Sequence, residues 1–244
     1  QSIRSRVLEG GFETFLLFGI TGSGKTEIYL RAMELAARSK RQSLILVPEI
    51  SLTPQLLDRL RERFPDKVGV LHSALTPRER WAEWWRILHG EVAVVVGARS
   101  AVFAPLRDLG LIVVDEEHDP SYKQEEGLRY HARDVAVVRG KLAGCPVLLG
   151  SATPSVESFE NSRRGRYRLL RLTKRVEERS LPRIEVVDLK QEWGDERREA
   201  RGQSEAFRLF SPLLSEALQA NFARGQQSLI FLNRRGFANF LQCR

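Results

Sequence analysis

Cysteine is scarce in this 244-residue chain: only Cys145 and Cys243 are present. Two thiols give no disulfide framework, so a small secreted scaffold is excluded and a reducing, cytoplasmic setting is the expectation. Cys145 adjoins an apolar run and is expected to be a buried core thiol. No apolar run approaches the ~20 residues that a membrane-spanning helix needs. No basic, apolar and small-residue succession of a signal peptide opens the chain either. A membrane partner is therefore not expected. Internal repeats and low-complexity tracts are also missing. The chain starts with Gln1 and ends at Cys243-Arg244, and the expectation is a piece of a longer protein.

What is abundant is positive charge. The formal net charge is +8 and the sequence pI is about 9.9, a balance compatible with a polyanionic partner, nucleic acid first. Arginine dominates residues 163–201 but is mixed there with Glu and Asp, which reads as a solvated connector rather than a binding stripe. With 42% hydrophobic residues the chain has ample material for a buried core.

Short apolar runs recur at 15–18, 43–47, 68–71, 92–96, 111–114 and 147–149, with helical patterns between them such as 54–64 and 77–89, each opening on proline. Continuous apolar runs alternating with helices predict an α/β fold with a parallel sheet covered on both faces. The sheet is expected to end soon after 154–160. Further strands are expected at 184–187 and 228–232, a mobile polar loop at 190–204, and a helix from Ser211-Pro212 to Gly225. Trp81, Trp84 and Trp85 have i, i+3, i+4 spacing and are read as the buried face of a helix.

Gly19-Ile20-Thr21-Gly22-Ser23-Gly24-Lys25-Thr26 matches G-x-x-x-x-G-K-[ST] at every fixed position, between an apolar strand candidate and a helical pattern. Its glycines let consecutive N–H groups turn around a polyphosphate, and the following helix presents its positive end to it. Gly22, Ser23, Gly24, Lys25, Thr26 and Glu27 are the expected nucleotide-binding residues, with Lys25 reaching the terminal phosphates and Thr26 holding Mg²⁺.

Leu111–Val114 runs into Asp115-Glu116-Glu117-His118. An acidic pair at the end of a buried strand lies where open α/β sheets bind ligands. Asp115 is expected to hold Mg²⁺ opposite Thr26, and Glu116 to orient and deprotonate the attacking water. His118 reads either as a structural hydrogen-bonding residue or as a sensor of the γ-phosphate. Gly150-Ser151-Ala152-Thr153-Pro154 ends another strand candidate, and Ser151 and Thr153 are expected to relay nucleotide state between surfaces.

These segments together resemble the DExH-type helicases and translocases of superfamily two. Gly19–Thr26 is similar to their motif I, Val47–Glu49 with Thr53–Gln55 to motif Ia, and Val96–Ser100 to the next DNA-side motif. Asp115–His118 is similar to motif II and Gly150–Pro154 to motif III. Within that group, Thr21–Leu30, Val47–Gln55, Asp115–Asp134 and Phe231–Phe237 resemble the bacterial primosomal replication-restart helicases.

The resemblance implies an RecA-like P-loop NTPase lobe over 1–173, then a connector and the start of a second RecA-like lobe over 174–244. It implies ATP and Mg²⁺ as ligands and hydrolysis coupled to 3′-to-5′ movement along single-stranded or forked DNA. Replication-restart primosome proteins and single-stranded DNA-binding protein are the implied partners, in a bacterial cytoplasm. Thr53, Gln55, Arg99 and Ser100 would meet the DNA backbone. In a loop at 122–131, Tyr122 and Tyr130 would stack on bases while Lys123, Arg129 and the nearby Arg133 meet phosphates; the competing reading is a solvated loop pinned by two aromatics. Cys243 aligns with the first cysteine of a zinc cluster, so Zn²⁺ is expected only in a longer parent, because one thiol makes no tetrahedral site. Two rivals stay open: a P-loop kinase, disfavoured by the D-E-x-H and S-A-T segments, and a nucleotide-gated DNA-binding module without turnover.

Overall fold

Strands form where branched and leucine side chains run uninterrupted, because both faces of those strands are covered. The computed structural model describes residues 1–174, 183–188 and 210–231. The chain divides into two compact units, 1–179 and 180–244. In the first, α1 (Ser2–Glu9) precedes β1 (Thr14–Gly19), α2 (Lys25–Arg38), β2 (Gln42–Leu46), α3 (Pro54–Arg63), β3 (Val68–Leu71), α4 (Pro77–Leu88) and β4 (Val94–Gly97). There follow β5 (Leu109–Asp115), β6 (Lys123–Gln124), β7 (Tyr130–His131), α5 (Ala132–Ala143), β8 (Val147–Ser151), α6 (Val156–Arg163) and β9 (Arg168–Leu172).

Seven strands make one parallel sheet in the order β3-β4-β2-β5-β8-β1-β9, and β6 and β7 form a separate antiparallel pair. Alternate residues of each strand serve opposite faces. Leu16, Leu44, Ile112, Val114 and Leu149 pack on one side with Ala132 and Ala136 of α5. Phe15, Leu17, Ile45, Leu111, Val113 and Leu148 pack on the other with Tyr29, Met33 and Ala36 of α2. Each fully buried Val, Leu, Ile, Phe or Met among them contributes about 1.5–3 kcal/mol. The α/β expectation with a doubly covered parallel sheet therefore holds, and the helices of the two proline-led patterns form with Thr53 and Thr76 as N-caps.

Several local expectations do not hold. The sheet does not end near 154–160: β9 joins β1 in parallel register, Phe15 beside Arg168 and Gly19 beside Leu172. Its Arg-Leu-Leu-Arg-Leu sequence suits an edge position, where charged side chains reach solvent, and so lacks the continuous apolar run that marks a central strand. The tryptophans are not buried. Trp81 is 64% exposed and Trp84 and Trp85 40% each, while Ile87 is the buried residue of α4. Trp81 and Trp85 meet edge-to-face with centroids 5.5 Å apart, and Trp85 stacks on His89 at 5.1 Å. Spacing identified a face, but not which face meets the sheet.

In the second unit, α7 (Pro212–Ala223) starts where expected, with the Ser211 hydroxyl accepting from the Leu214 N–H at 3.1 Å. Residues 183–188 form no strand, and Ile184 and Val186 are 81% and 90% exposed. Likewise the described part of the 228–232 run is neither strand nor buried, with Leu229 98% exposed. Among the described residues no strand pairs with either run. The polar run 190–204, Cys243 and most of Phe231–Phe237 lie outside the described residues. Among the described residues no helix is long and apolar enough to cross a membrane.

Candidate active site

Three segments distant in sequence meet because β5, β8 and β1 are neighbours, each ending at the same edge of the sheet. β1 delivers the glycine-rich loop, β5 ends on Asp115 and β8 on Ser151. In a parallel sheet this carboxyl edge is where ligands bind.

The loop has the conformation its sequence requires. Gly22 and Gly24 adopt φ of +79° and +87°, the left-handed region that glycine enters without steric penalty. Gly24 is the N-cap of α2 and no side chain caps that helix, so its first N–H groups remain for an anion. Lys25 is buried and its Nζ donates to the Gly19 carbonyl at 2.7 Å. Ser23 is also buried, and its Oγ is among the described polar atoms with no hydrogen-bond partner. A buried orphan hydroxyl inside an uncapped glycine loop is what a phosphate-binding cradle looks like before its ligand supplies the missing bonds. Thr26 follows in the first turn of α2. Glu27 is held differently, by Arg31 at 2.7 Å and Arg63 at 3.1 Å, and these cations keep its carboxyl below the usual range.

Across the edge, Asp115 is restrained at both ends. Its Oδ1 accepts from the Tyr29 hydroxyl at 3.0 Å and its backbone carbonyl from the Tyr122 hydroxyl at 2.6 Å. Burial first, and then the charge of Glu116, push the Asp115 carboxyl upward. Burial also drives both phenols well above their ordinary range, with Asp115 adding to it. Glu116 adds negative charge beside Asp115 and Lys25 offsets part of it; a divalent cation would neutralise more. Among the described residues no three His, Cys, Asp or Glu side chains converge as a metal cage. One carboxylate and a hydroxyl beside a polyphosphate cradle is instead the donor set that suits Mg²⁺, which takes few protein ligands and the rest from phosphate and water.

Glu116 has φ +45°, a left-handed conformation for a non-glycine residue that costs about 1–3 kcal/mol. It lies 3.7 Å from His118 Nδ1 through its Oε2. The same His118 Nδ1 is 2.8 Å from Ser151 Oγ, and His118 Nε2 is 3.3 Å from Thr153 Oγ1. The Thr153 N–H also donates to Ser151 Oγ at 2.9 Å. The ends of β5 and β8 are therefore joined through one imidazole.

Two residues assigned to DNA in the sequence are engaged elsewhere. Tyr122 is fully buried, so it has no free face for a base; its ring belongs to the core and its hydroxyl to Asp115. Arg133 is buried as well, and donates to Glu117 at 3.2 Å, Ser155 Oγ at 2.7 Å and Asp134 at 2.9 Å. The others keep access to solvent to different degrees. Lys123, Arg129, Ser100 and Gln55 are exposed, and Tyr130 is half-buried against Phe103 at 5.0 Å. Half-buried Arg99 donates to the carbonyls of Ser121 and Lys123, which ties the β4 end to the hairpin of β6 and β7. Thr53 caps α3, accepting from the Leu56 N–H at 3.4 Å.

The sequence held Tyr29, Gly150 and Glu117 inside longer motifs but did not disclose what each of them touches. Glu117 is fully buried and accepts from Arg133, from the Ser155 N–H at 2.7 Å and from Ser158 Oγ at 2.8 Å. Tyr29 carried one usable signal: it is four residues after Lys25 and hence on the same side of α2.

The DEAD/DEAH box helicase family matches residues 2–162. Among curated proteins, the chain is 46% identical over its whole length to "Replication restart protein PriA" of Bacillus subtilis, covering 29% of that protein. It is 46% identical over 97% of its length to the protein of the same name from Haemophilus influenzae, covering 31% of it. The chain therefore spans about three tenths of the length of these relatives. Among solved structures, RecG bound to a three-way DNA junction is similar with a TM-score of 0.51 at 24% identity, over 82% of this chain and 27% of that one. Saccharomyces cerevisiae Dbp5 bound to RNA and ADP BeF3 is similar with a TM-score of 0.50 at 12% identity, over 66% of this chain and 41% of that one. At these identities the structures speak for the helicase fold only.

Proposed function

The chain belongs to the DEAD/DEAH box helicase family, and from that premise we propose that it is the nucleotide-binding lobe of an ATP-dependent DNA helicase acting in replication restart. The observation that carries this reading is the meeting of the Gly19–Thr26 loop, Asp115-Glu116 and Ser151 on three adjacent strand ends. Identity of 46% to replication restart proteins across the whole chain supports the choice among helicases.

In this reading the uncapped N-terminus of α2 and Lys25 bind the phosphates of ATP. Thr26 and Asp115 hold Mg²⁺, which when bound neutralises phosphate charge. Glu116 orients water and takes its proton. His118 links that residue to Ser151 and Thr153, so a change at the γ-phosphate end is felt at the end of β8. Gln55, Arg99, Ser100, Lys123, Arg129 and Tyr130, with Thr53, form the DNA side at the ends of β2 and β4 and on the hairpin. Movement is 3′-to-5′, the primosome proteins and single-stranded DNA-binding protein are its partners, the setting is the bacterial cytoplasm, and zinc belongs to a longer parent through Cys243. By itself the 244-residue chain hydrolyses ATP slowly.

The test is an ATPase assay of the parent protein with and without single-stranded DNA. Strong DNA stimulation is expected. Nucleotide binding without turnover in any condition would favour the gated DNA-binding module instead, and phosphate transfer to an added acceptor would favour a kinase.

A further inference from the structure

We propose that Tyr29 is a positioning residue that sets how tightly Asp115 holds the divalent cation; this rests on the nucleotide-site reading above. Tyr29 is 1% exposed and its hydroxyl donates to Asp115 Oδ1 at 3.0 Å. A buried phenol needs such a partner, and a carboxylate that accepts a fixed hydrogen bond loses rotational freedom at its own metal-binding oxygens.

The arrangement is built in from a third element. A Cβ on Gly150 would stand 1.6 Å from the Tyr29 hydroxyl oxygen and 2.7 Å from its ring, so the phenol reaches Asp115 only because residue 150 has no side chain. Gly150 is paired with Asp115 in the β5–β8 register. The space for the phenol is therefore made by the residue beside the one it orients. Tyr29 is also one helical turn beyond Lys25, on the helix that starts at the phosphate loop. The element that would receive the phosphates thus carries the donor that aims the carboxylate. The backbone of Asp115 is fixed independently by Tyr122, so the contribution of Tyr29 is confined to the side chain.

The experiment is a titration of the 244-residue chain with a fluorescent ATP analogue at a series of Mg²⁺ concentrations, reading binding rather than turnover. Tyr29→Phe is expected to raise the Mg²⁺ concentration for half-maximal binding about 10-fold, the low end of what loss of an outer hydrogen bond to a metal ligand costs. Binding of the analogue in EDTA should be unchanged. Adding Tyr29→Phe to Asp115→Asn should have no further effect on the Mg²⁺ dependence. Gly150→Ala, which displaces the hydroxyl without removing it, should reproduce the defect. An unaltered Mg²⁺ dependence in Tyr29→Phe, or an equal loss with and without Mg²⁺, overturns the proposal. Absence of Mg²⁺-dependent binding in the unmodified chain overturns the nucleotide-site reading instead.

Discussion

Arg133 Nη1 and Glu117 Oε2 are 3.2 Å apart, with side chains 8% and 0% exposed. The pair connects the residue after Asp115-Glu116 to the start of α5, and Ser155 and Ser158 bring the segment after β8 into the same network. Removing Arg133 leaves the Glu117 charge buried without its counter-ion, and removing Glu117 leaves Arg133, among the described residues, only the exposed Asp134. Glu117→Ala and Arg133→Ala are each expected to destabilise the first unit by about 3–5 kcal/mol. Urea unfolding of the two variants checks this, and a loss under 1 kcal/mol, in the ~0–1 range of a surface pair, contradicts it.

Lys25→Ala removes the ammonium now bonded to the Gly19 carbonyl. Affinity for ATP should fall towards that of its phosphate-free nucleoside, with only the α2 N–H groups left to the phosphates. Calorimetric titration with ATP and adenosine measures the difference, and unchanged ATP affinity removes the phosphate-loop assignment.

Glu116→Gln keeps the size of the side chain and the left-handed backbone but cannot accept the proton of water. Turnover by the parent protein should drop by about 10²–10⁴-fold, the usual contribution of a general base, with ATP binding retained. Steady-state ATPase rates beside equilibrium binding separate the two effects. Persisting turnover takes Glu116 out of this role.

Tyr122 and Arg129 should separate cleanly in behaviour. Tyr122→Ala empties a fully buried site and should cost about 3–5 kcal/mol of stability. Arg129→Ala, on the exposed hairpin, should change stability by less than about 0.5 kcal/mol while weakening single-stranded DNA binding. Thermal unfolding and an anisotropy titration with oligo(dT) read the two properties. Near-wild-type stability for Tyr122→Ala is the outcome that refutes the core role.

Burial pushes the Cys145 thiol up to about 11 from 9.0. The folded chain holds this proton more tightly than the unfolded one, so the contribution is present below pH 9 and is lost as pH rises towards 11. In a Cys243→Ser background, a thiol reagent at pH 8 should react only after denaturant is added. Rapid labelling of the folded chain would show that the thiol is accessible.

Much of the fold was readable because its signals are local. A parallel strand covered on both faces must be apolar throughout, so β1, β2, β5 and β8 stood out from their own residues. The glycine loop was equally plain, since φ of +79° and +87° demands the residue type found there. Edge strand β9 escaped because its exposed arginines break the run, and the tryptophans misled because periodicity does not say which side of a helix has a neighbour. Tyr122 and Arg133 misled for a related reason: residue types that suit nucleic acid are also those that suit a buried hydrogen-bonded network.

By itself the sequence determined the class of fold and the chemical types present at the site: a phosphate loop, an acidic pair, and small hydroxyl residues. Those follow from backbone conformations and side-chain chemistry encoded within a few positions. Only the tertiary structure decided which of them meet. The order β5-β8-β1 brings Gly19, Asp115 and Ser151 to one edge, and the missing side chain of Gly150 admits Tyr29 to Asp115. It also consigns Tyr122 and Arg133 to the interior. Such pairings depend on packing between segments far apart in the chain, where close contact and loss of solvent, rather than residue type, set what each group can do.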